Sequence, residues 1–169
     1  MARNIEIKAR IASVEALLPR AQAVAGGEPV PIEQDDSFFA VPHGRLKLRQ
    51  FADGSAELIH YHRADTEDSK ASDYVRVPVP DPAALREALA RACGLQGRVR
   101  KRRLLLLAGA TRIHLDRVEG LGDFMELEVV LADGQTDAEG SATAEARMVA
   151  LGLGKAQRLA GSYLDLMGS

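Results

Sequence analysis

Apolar and polar residues alternate with period two over eight stretches of the chain, at 4–11, 34–41, 45–51, 56–63, 74–79, 98–108, 111–118 and 124–132. Side chains at i and i+2 share one face of an extended backbone, so each stretch predicts a β-strand. Three other stretches repeat their apolar residues at helical spacing. Ser13 caps the first, which runs to about Val24 with Val14, Leu17, Leu18 and Ala21 on one face before Gly26-Gly27. Asp81-Pro82 opens the second, with Pro at the first helical position and Leu85, Ala88, Leu89 and Ala92 apolar before Gly94. The third covers 137–151, and the tail 155–167 predicts a short further helix. The breaks carry turn chemistry, in Pro42-His43-Gly44, Asp53-Gly54, Gly109-Ala110 and Gly120-Leu121-Gly122, so neighbouring strands pair antiparallel. Closing such a sheet removes its exposed edges. The expected fold is therefore α+β: an eight-stranded antiparallel β-barrel with helices packed on the outside. Within it, the apolar run from Leu104 to Leu107 predicts a stretch buried on both faces.

The polar half of the alternation is ionic rather than merely polar. Asn4, Glu6, Lys8 and Arg10 oppose Ile5, Ile7, Ala9 and Ile11; Arg45, Lys47 and Arg49 oppose Leu46 and Leu48. Further on, Arg112, His114 and Asp116 oppose Ile113 and Leu115, and Glu126 and Glu128 oppose Met125, Leu127 and Val129. Two arrangements satisfy this pattern. The charges face water on an open sheet, or the helices cover the apolar outside and the charges line a tunnel. Segregation by sign favours the tunnel: 45–49 and 98–103 are strongly basic, while 119–145 holds eight acids and no Lys or Arg. Burying unpaired ions costs several kcal/mol each, so such a tunnel is wet and built for a charged guest.

Composition narrows the class. The 169 residues, 46% hydrophobic and 27% charged, suit one globular domain over 1–169 and argue against long disorder. No apolar run approaches the roughly 20 residues of a membrane span. The first residues, Met-Ala-Arg-Asn-Ile-Glu-Ile-Lys, carry charge where a signal peptide is apolar, which reads as a cytoplasmic protein. The single Cys93 forms neither an internal disulfide nor a zinc site alone. A formal charge of −2 and 4% aromatic residues with no Trp speak against a nucleic-acid partner that stacks bases on rings.

Arg and Lys converging from several strands suit a polyanion, since guanidinium groups grip phosphate oxygens bidentately. Carboxylates on the same surface would repel that guest unless they hold a hard divalent cation such as Mg²⁺ or Mn²⁺. The chemistry indicated is metal-dependent phosphoryl transfer.

The segments Asn4-Ile5-Glu6-Ile7-Lys8, Gly44-Arg45-Leu46-Lys47-Leu48-Arg49, Leu58 to Arg63, Val99 to Arg103, Ile113 to Asp116 and Gly120 to Glu128 together resemble the CYTH family, or triphosphate tunnel metalloenzymes. Its members include class IV adenylate cyclases, thiamine triphosphatases and inorganic triphosphatases. The resemblance implies metal ligands at Glu6, Glu126 and Glu128, and triphosphate contacts from Lys8, Lys47, Arg49, Arg63, Lys101, Arg103 and Arg112, with Arg45 and Arg76 as additions. It assigns catalysis to Lys8, Arg63, Glu126 and Glu128. Asn4 departs from the family's Glu-x-Glu-x-Lys; its amide oxygen still ligates a hard cation but one negative charge is lost. Arg63 stands where some relatives have Lys, and a guanidinium does not take up a proton at neutral pH.

The resemblance implies a triphosphate-containing partner: tripolyphosphate, ATP or thiamine triphosphate. Hydrolysis is favoured, because the phosphate cradle is clear and an adenine pocket is not. Cyclisation of ATP to cyclic AMP and a non-catalytic polyphosphate-binding module are the alternatives. A homodimer is admissible. Four further expectations concern single residues. His60 and His62 face outward, His114 shares the site face, Asp35-Asp36 is solvated at a strand edge, and Tyr163 packs the terminal segment onto the barrel.

Overall fold

The computed structural model describes residues 2–168. The strands are β1 (Ala2–Arg10), β2 (Val30–Phe39), β3 (Arg45–Phe51), β4 (Ala56–Arg63), β5 (Lys70–Pro78), β6 (Leu95–Ala108), β7 (Thr111–Val118), β8 (Gly122–Val130) and β9 (Arg158–Leu159). The helices are α1 (Val14–Ala25), α2 (Pro82–Cys93), α3 (Asp137–Ala150) and α4 (Tyr163–Met167). The sheet order is β5-β4-β3-β2-β6-β7-β8-β1, and β1 also pairs with β5, closing eight antiparallel strands into a barrel. None of the helices among the described residues is long and apolar enough to cross a membrane.

Capping explains where the helices start. Ser13 Oγ accepts from the Ala16 amide at 3.0 Å, Asp81 Oδ1 from that of Ala84 at 3.1 Å, and Thr136 and Glu139 exchange bonds in a capping box. The largest core lies outside the barrel. It sandwiches Ile5, Ile7, Ala9, Ile113, Leu115, Met125, Leu127 and Val129 against Val14, Leu17 and Ala21 of α1 and Ala144 and Met148 of α3. Gly140 permits this close approach, since a Cβ there would stand 2.5 Å from Leu131 Cδ2 and 2.6 Å from Ile5 Cγ1. A smaller core seats Leu85 and Leu89 of α2 on Phe39 and Leu48. With their apolar faces covered, the strands turn their ionic faces inward.

Three expectations change. The tail is not one helix: a 3-10 turn (Lys155–Gln157) leads into β9, which pairs with Lys8 and Ala9 of β1, and only then into α4. Gly154 and Gly161 break the run. Strands β2, β5 and β6 begin three or four residues earlier than their alternation suggested, because pairing extends each past its periodic segment. The run Leu104 to Leu107 is not buried throughout. Leu106 packs in the outer core, but Leu107 is 59% exposed, where β6 runs toward its turn with β7.

Candidate active site

One end of the barrel is stopped from within. Phe38, Val99, Val118, Phe124 and Tyr163 form a cluster there, with Leu159, Leu164 and Leu166 against it. The tail is tied into the barrel by the Gly161 carbonyl, which accepts from Lys8 Nζ at 2.9 Å and Arg63 Nη2 at 3.2 Å. The remaining interior is a cavity of about 250 Å³. Eight Lys or Arg side chains and five carboxylates line it, a net positive interior in a chain of net negative charge.

Two aspartates organise the cations. Asp36, 1% exposed on β2, accepts bidentately from Arg49 at 2.8 and 2.7 Å and from Lys101 at 3.3 Å, with Lys47 at 3.7 Å. Burial raises its carboxyl pKa, but Arg49, Lys101 and Lys47 together outweigh that and hold it well below the carboxylate range. Asp116 on β7 receives Arg103 at 2.7 and 2.8 Å and the Tyr163 hydroxyl at 2.8 Å. The lysines bear the opposite strain. Burial, then the neighbouring Arg49, brings Lys47 down to about 7. Burial brings Lys8 to about 8 although Glu126 pulls it back up. Both groups are poised to regain charge beside an anion.

The opposite wall carries the acids. Cross-strand register sets Glu126 against Lys8 and His114, and Glu128 against Glu6 and Arg112. Glu126 lies 3.5 Å from Lys8 and 3.2 Å from Arg103, and Glu128 lies 2.9 Å from Arg112. Burial opposes their ionisation. Lys8, His114 and Arg103 nevertheless keep Glu126 well below its usual pKa, and His114 and Arg112 lower Glu128. Donor atoms of His114, Glu126 and Glu128 lie within 4.8 Å of one another. Asn4 Oδ1 and His114 Nδ1 are buried without a hydrogen-bond partner. Carboxylates held ionised in the same cavity as unpartnered buried polar atoms suit a divalent cation.

The family model of the CYTH domain matches residues 2–163. The chain belongs to the CYTH domain family. Among solved structures it is similar to the PH1012 protein of Pyrococcus horikoshii, with 25% identity and a TM-score of 0.85, covering 96% of this chain and 98% of that one. A Vibrio parahaemolyticus protein named as an adenylate cyclase candidate shares 18% identity at a TM-score of 0.79, over 98% of each chain. HpAC1 of Hippeastrum, for which a dominant triphosphatase activity is described, shares 15% at 0.69, over 99% of this chain and 95% of that one. A comparison with curated protein sequences returns no match.

Within this CYTH tunnel, Asn4, Glu6, Lys8, Lys47, Arg49, Arg63, Arg76, Lys101, Arg103, Arg112, Glu126 and Glu128 all line the cavity. Arg45 does not. It is bound to Ser162 at 2.8 Å, Asp165 at 2.7 Å and Asp65 at 3.2 Å, fastening the tail and a loop to the barrel end. Glu6 is engaged by Arg63 at 2.6 Å and stands outside the His114–Glu126–Glu128 group. His60 and His62 are exposed, as expected. Asp36 corrects its expectation: it is buried among cations rather than solvated. Its inward partners Gln34 and Phe38 are not ionic, so β2 lacks the charge alternation that marks the other inner faces. Tyr163 both packs the tail and lines the tunnel, its ring 4.1 Å from Lys8 Nζ.

Proposed function

We propose that this tunnel hydrolyses a triphosphate in a divalent-metal-dependent reaction, with inorganic tripolyphosphate or an organic triphosphate as substrate. The observation that carries the reading is the division of the interior. Cations locked by Asp36 and Asp116 face ionised Glu126 and Glu128 across one cavity. A tunnel meant only to grip a polyanion gains nothing from two glutamates that repel it.

Arg49, Lys47 and Lys101 are held in place before the substrate arrives, so little reorganisation accompanies binding, and their charge stabilises the transition state more than it would in water. Arg103, Arg112 and Arg63 stay charged through the reaction and orient the phosphate oxygens; Lys8 adds its charge beside Glu126. Glu126 and Glu128, with Asn4, would hold Mg²⁺ or Mn²⁺, which would supply Lewis-acid charge. Water attacks the terminal phosphorus, the bridging P–O bond breaks, and orthophosphate leaves with the shortened diphosphate.

The test is a release assay with tripolyphosphate, ATP and thiamine triphosphate, with and without Mg²⁺ or Mn²⁺, reading orthophosphate, pyrophosphate and cyclic AMP. Metal-dependent orthophosphate release is expected. It should fall at least about 100-fold, near 2.7 kcal/mol, in the Glu126→Gln, Glu128→Gln double variant while the thermal melt persists. Cyclic AMP with pyrophosphate would make the chain a cyclase. Binding of polyphosphate with no turnover would make it a non-catalytic module.

A further inference from the structure

On the reading of the tunnel as a metal-dependent triphosphate site, we propose that His114 Nδ1 is a third protein ligand beside Glu126 and Glu128, and that this nitrogen tunes the site toward Mn²⁺ over Mg²⁺. The resemblance supplies only oxygen ligands; the nitrogen emerges from the geometry of this chain.

His114 sits on the inner face of β7, 5% exposed, directly opposite Glu126 in the β7–β8 register. Its Nδ1 is buried and lacks any hydrogen-bond partner. Leaving a buried donor or acceptor unsatisfied is costly, so its persistence calls for a partner. The nearest candidates are Glu126 Oε2 at 3.9 Å and Glu128 Oε1 at 3.7 Å. Both separations exceed a hydrogen bond. The nitrogen thus stands off from both carboxylates, each of which has a closer cationic partner in Lys8, Arg103 or Arg112. Three donors that converge without bonding one another fit a cation between them.

A nitrogen ligand also solves an electrostatic problem of this tunnel. It adds a ligand without adding negative charge that would repel the phosphates, where Asn4 has already replaced a family carboxylate. The consequence is selectivity. Mg²⁺ is small, hard and reluctant to give up water for anything but oxygen, whereas first-row transition ions accept imidazole readily.

Pulsed EPR on the full chain loaded with Mn²⁺ tests this directly, with and without tripolyphosphate. A directly bound imidazole imposes a ¹⁴N coupling on the Mn²⁺ echo, which ¹⁵N-histidine labelling must shift. His43, His60 and His62 are exposed on the surface, so a tunnel signal belongs to His114. The wild-type chain is expected to show the coupling. His114→Gln should abolish it and lower the Mn²⁺:Mg²⁺ affinity ratio, measured by competition, about tenfold or more. Mn²⁺ bound at the glutamates with no nitrogen coupling overturns the His114 ligand and leaves the metal-dependent triphosphatase intact. An unchanged affinity ratio in His114→Gln overturns the selectivity. A wild-type chain that binds neither ion, even with tripolyphosphate, overturns the metal-dependent reading and this ligand with it.

Discussion

Asp35 and Asp36 are neighbours on β2 and face opposite sides of the barrel wall. Each grips one arginine with both carboxylate oxygens: Asp35 holds Arg98, through Nε at 2.7 Å and through Nη2, and Asp36 holds Arg49 at 2.8 and 2.7 Å. The chemistry is the same and the surroundings are not. The outer pair leaves 46% of the Arg98 side chain and 29% of the Asp35 side chain exposed, against 11% and 1% for the inner pair. In water an ion pair is a small gain set against lost side-chain freedom. Inside, its attraction is set against desolvation of both ions, and neither partner is removable without stranding the other. Asp36 also anchors Lys47 and Lys101, so it acts as the keystone of the basic wall rather than as one half of a pair.

The sharpest way to break this contrast is Asp36→Ala. It leaves three buried cations without their counter-ion and is expected to lower unfolding free energy by about 3–5 kcal/mol, read from urea denaturation. A loss below about 1 kcal/mol would mean that the inner pair behaves like the outer one.

Protonation gives an intermediate effect. Lys47 titrates near 7 in the folded chain, and Lys8 near 8, whereas an unfolded lysine holds its proton to about 10. Between those values the unfolded state binds more protons, so stability of the ligand-free chain should rise from pH 7 to pH 9. A bound polyanion reverses the shift. Tripolyphosphate binding at pH 8 should take up protons, seen as heats that vary with buffer ionisation enthalpy, and Lys47→Arg should lessen the uptake. Stability that falls over this range, or buffer-independent heats, would contradict the burial of Lys47.

The smallest effect belongs outside. Arg98→Ala should cost no more than about 1 kcal/mol, diminished further by salt, and should leave triphosphate turnover unchanged. A larger loss would erase the distinction between the two faces of β2.

Much of the tunnel is legible in the sequence. Period-two alternation is a property of the extended backbone, so Glu6 and Lys8, Lys47 and Arg49, and Glu126 and Glu128 had to share faces whatever the strands paired with. Apolar residues on the opposite faces left α1 and α3 one place to pack, and the charges therefore turned inward. The ordered motifs carried the family as well. What the alternation could not assign was each charge's partner. The sequence reads Asp36 as a solvated strand-edge acid, and its inner-face neighbours Gln34 and Phe38 carry no charge that points to a basic site. Only closure of β2 onto β3 and β6 surrounds it with Arg49, Lys47 and Lys101. Arg45 looked like another phosphate contact because it alternates with Lys47 and Arg49. The tail, more than a hundred residues away, claims it through Ser162 and Asp165. His114 could be placed on the site face by spacing, but its stand-off from two glutamates depends on the register of β7 with β8. Sequence thus determined which residues face the interior, because that follows from local backbone geometry. Tertiary structure alone decided which acids lock cations and which remain open to a metal, because that depends on contacts between segments far apart in the chain.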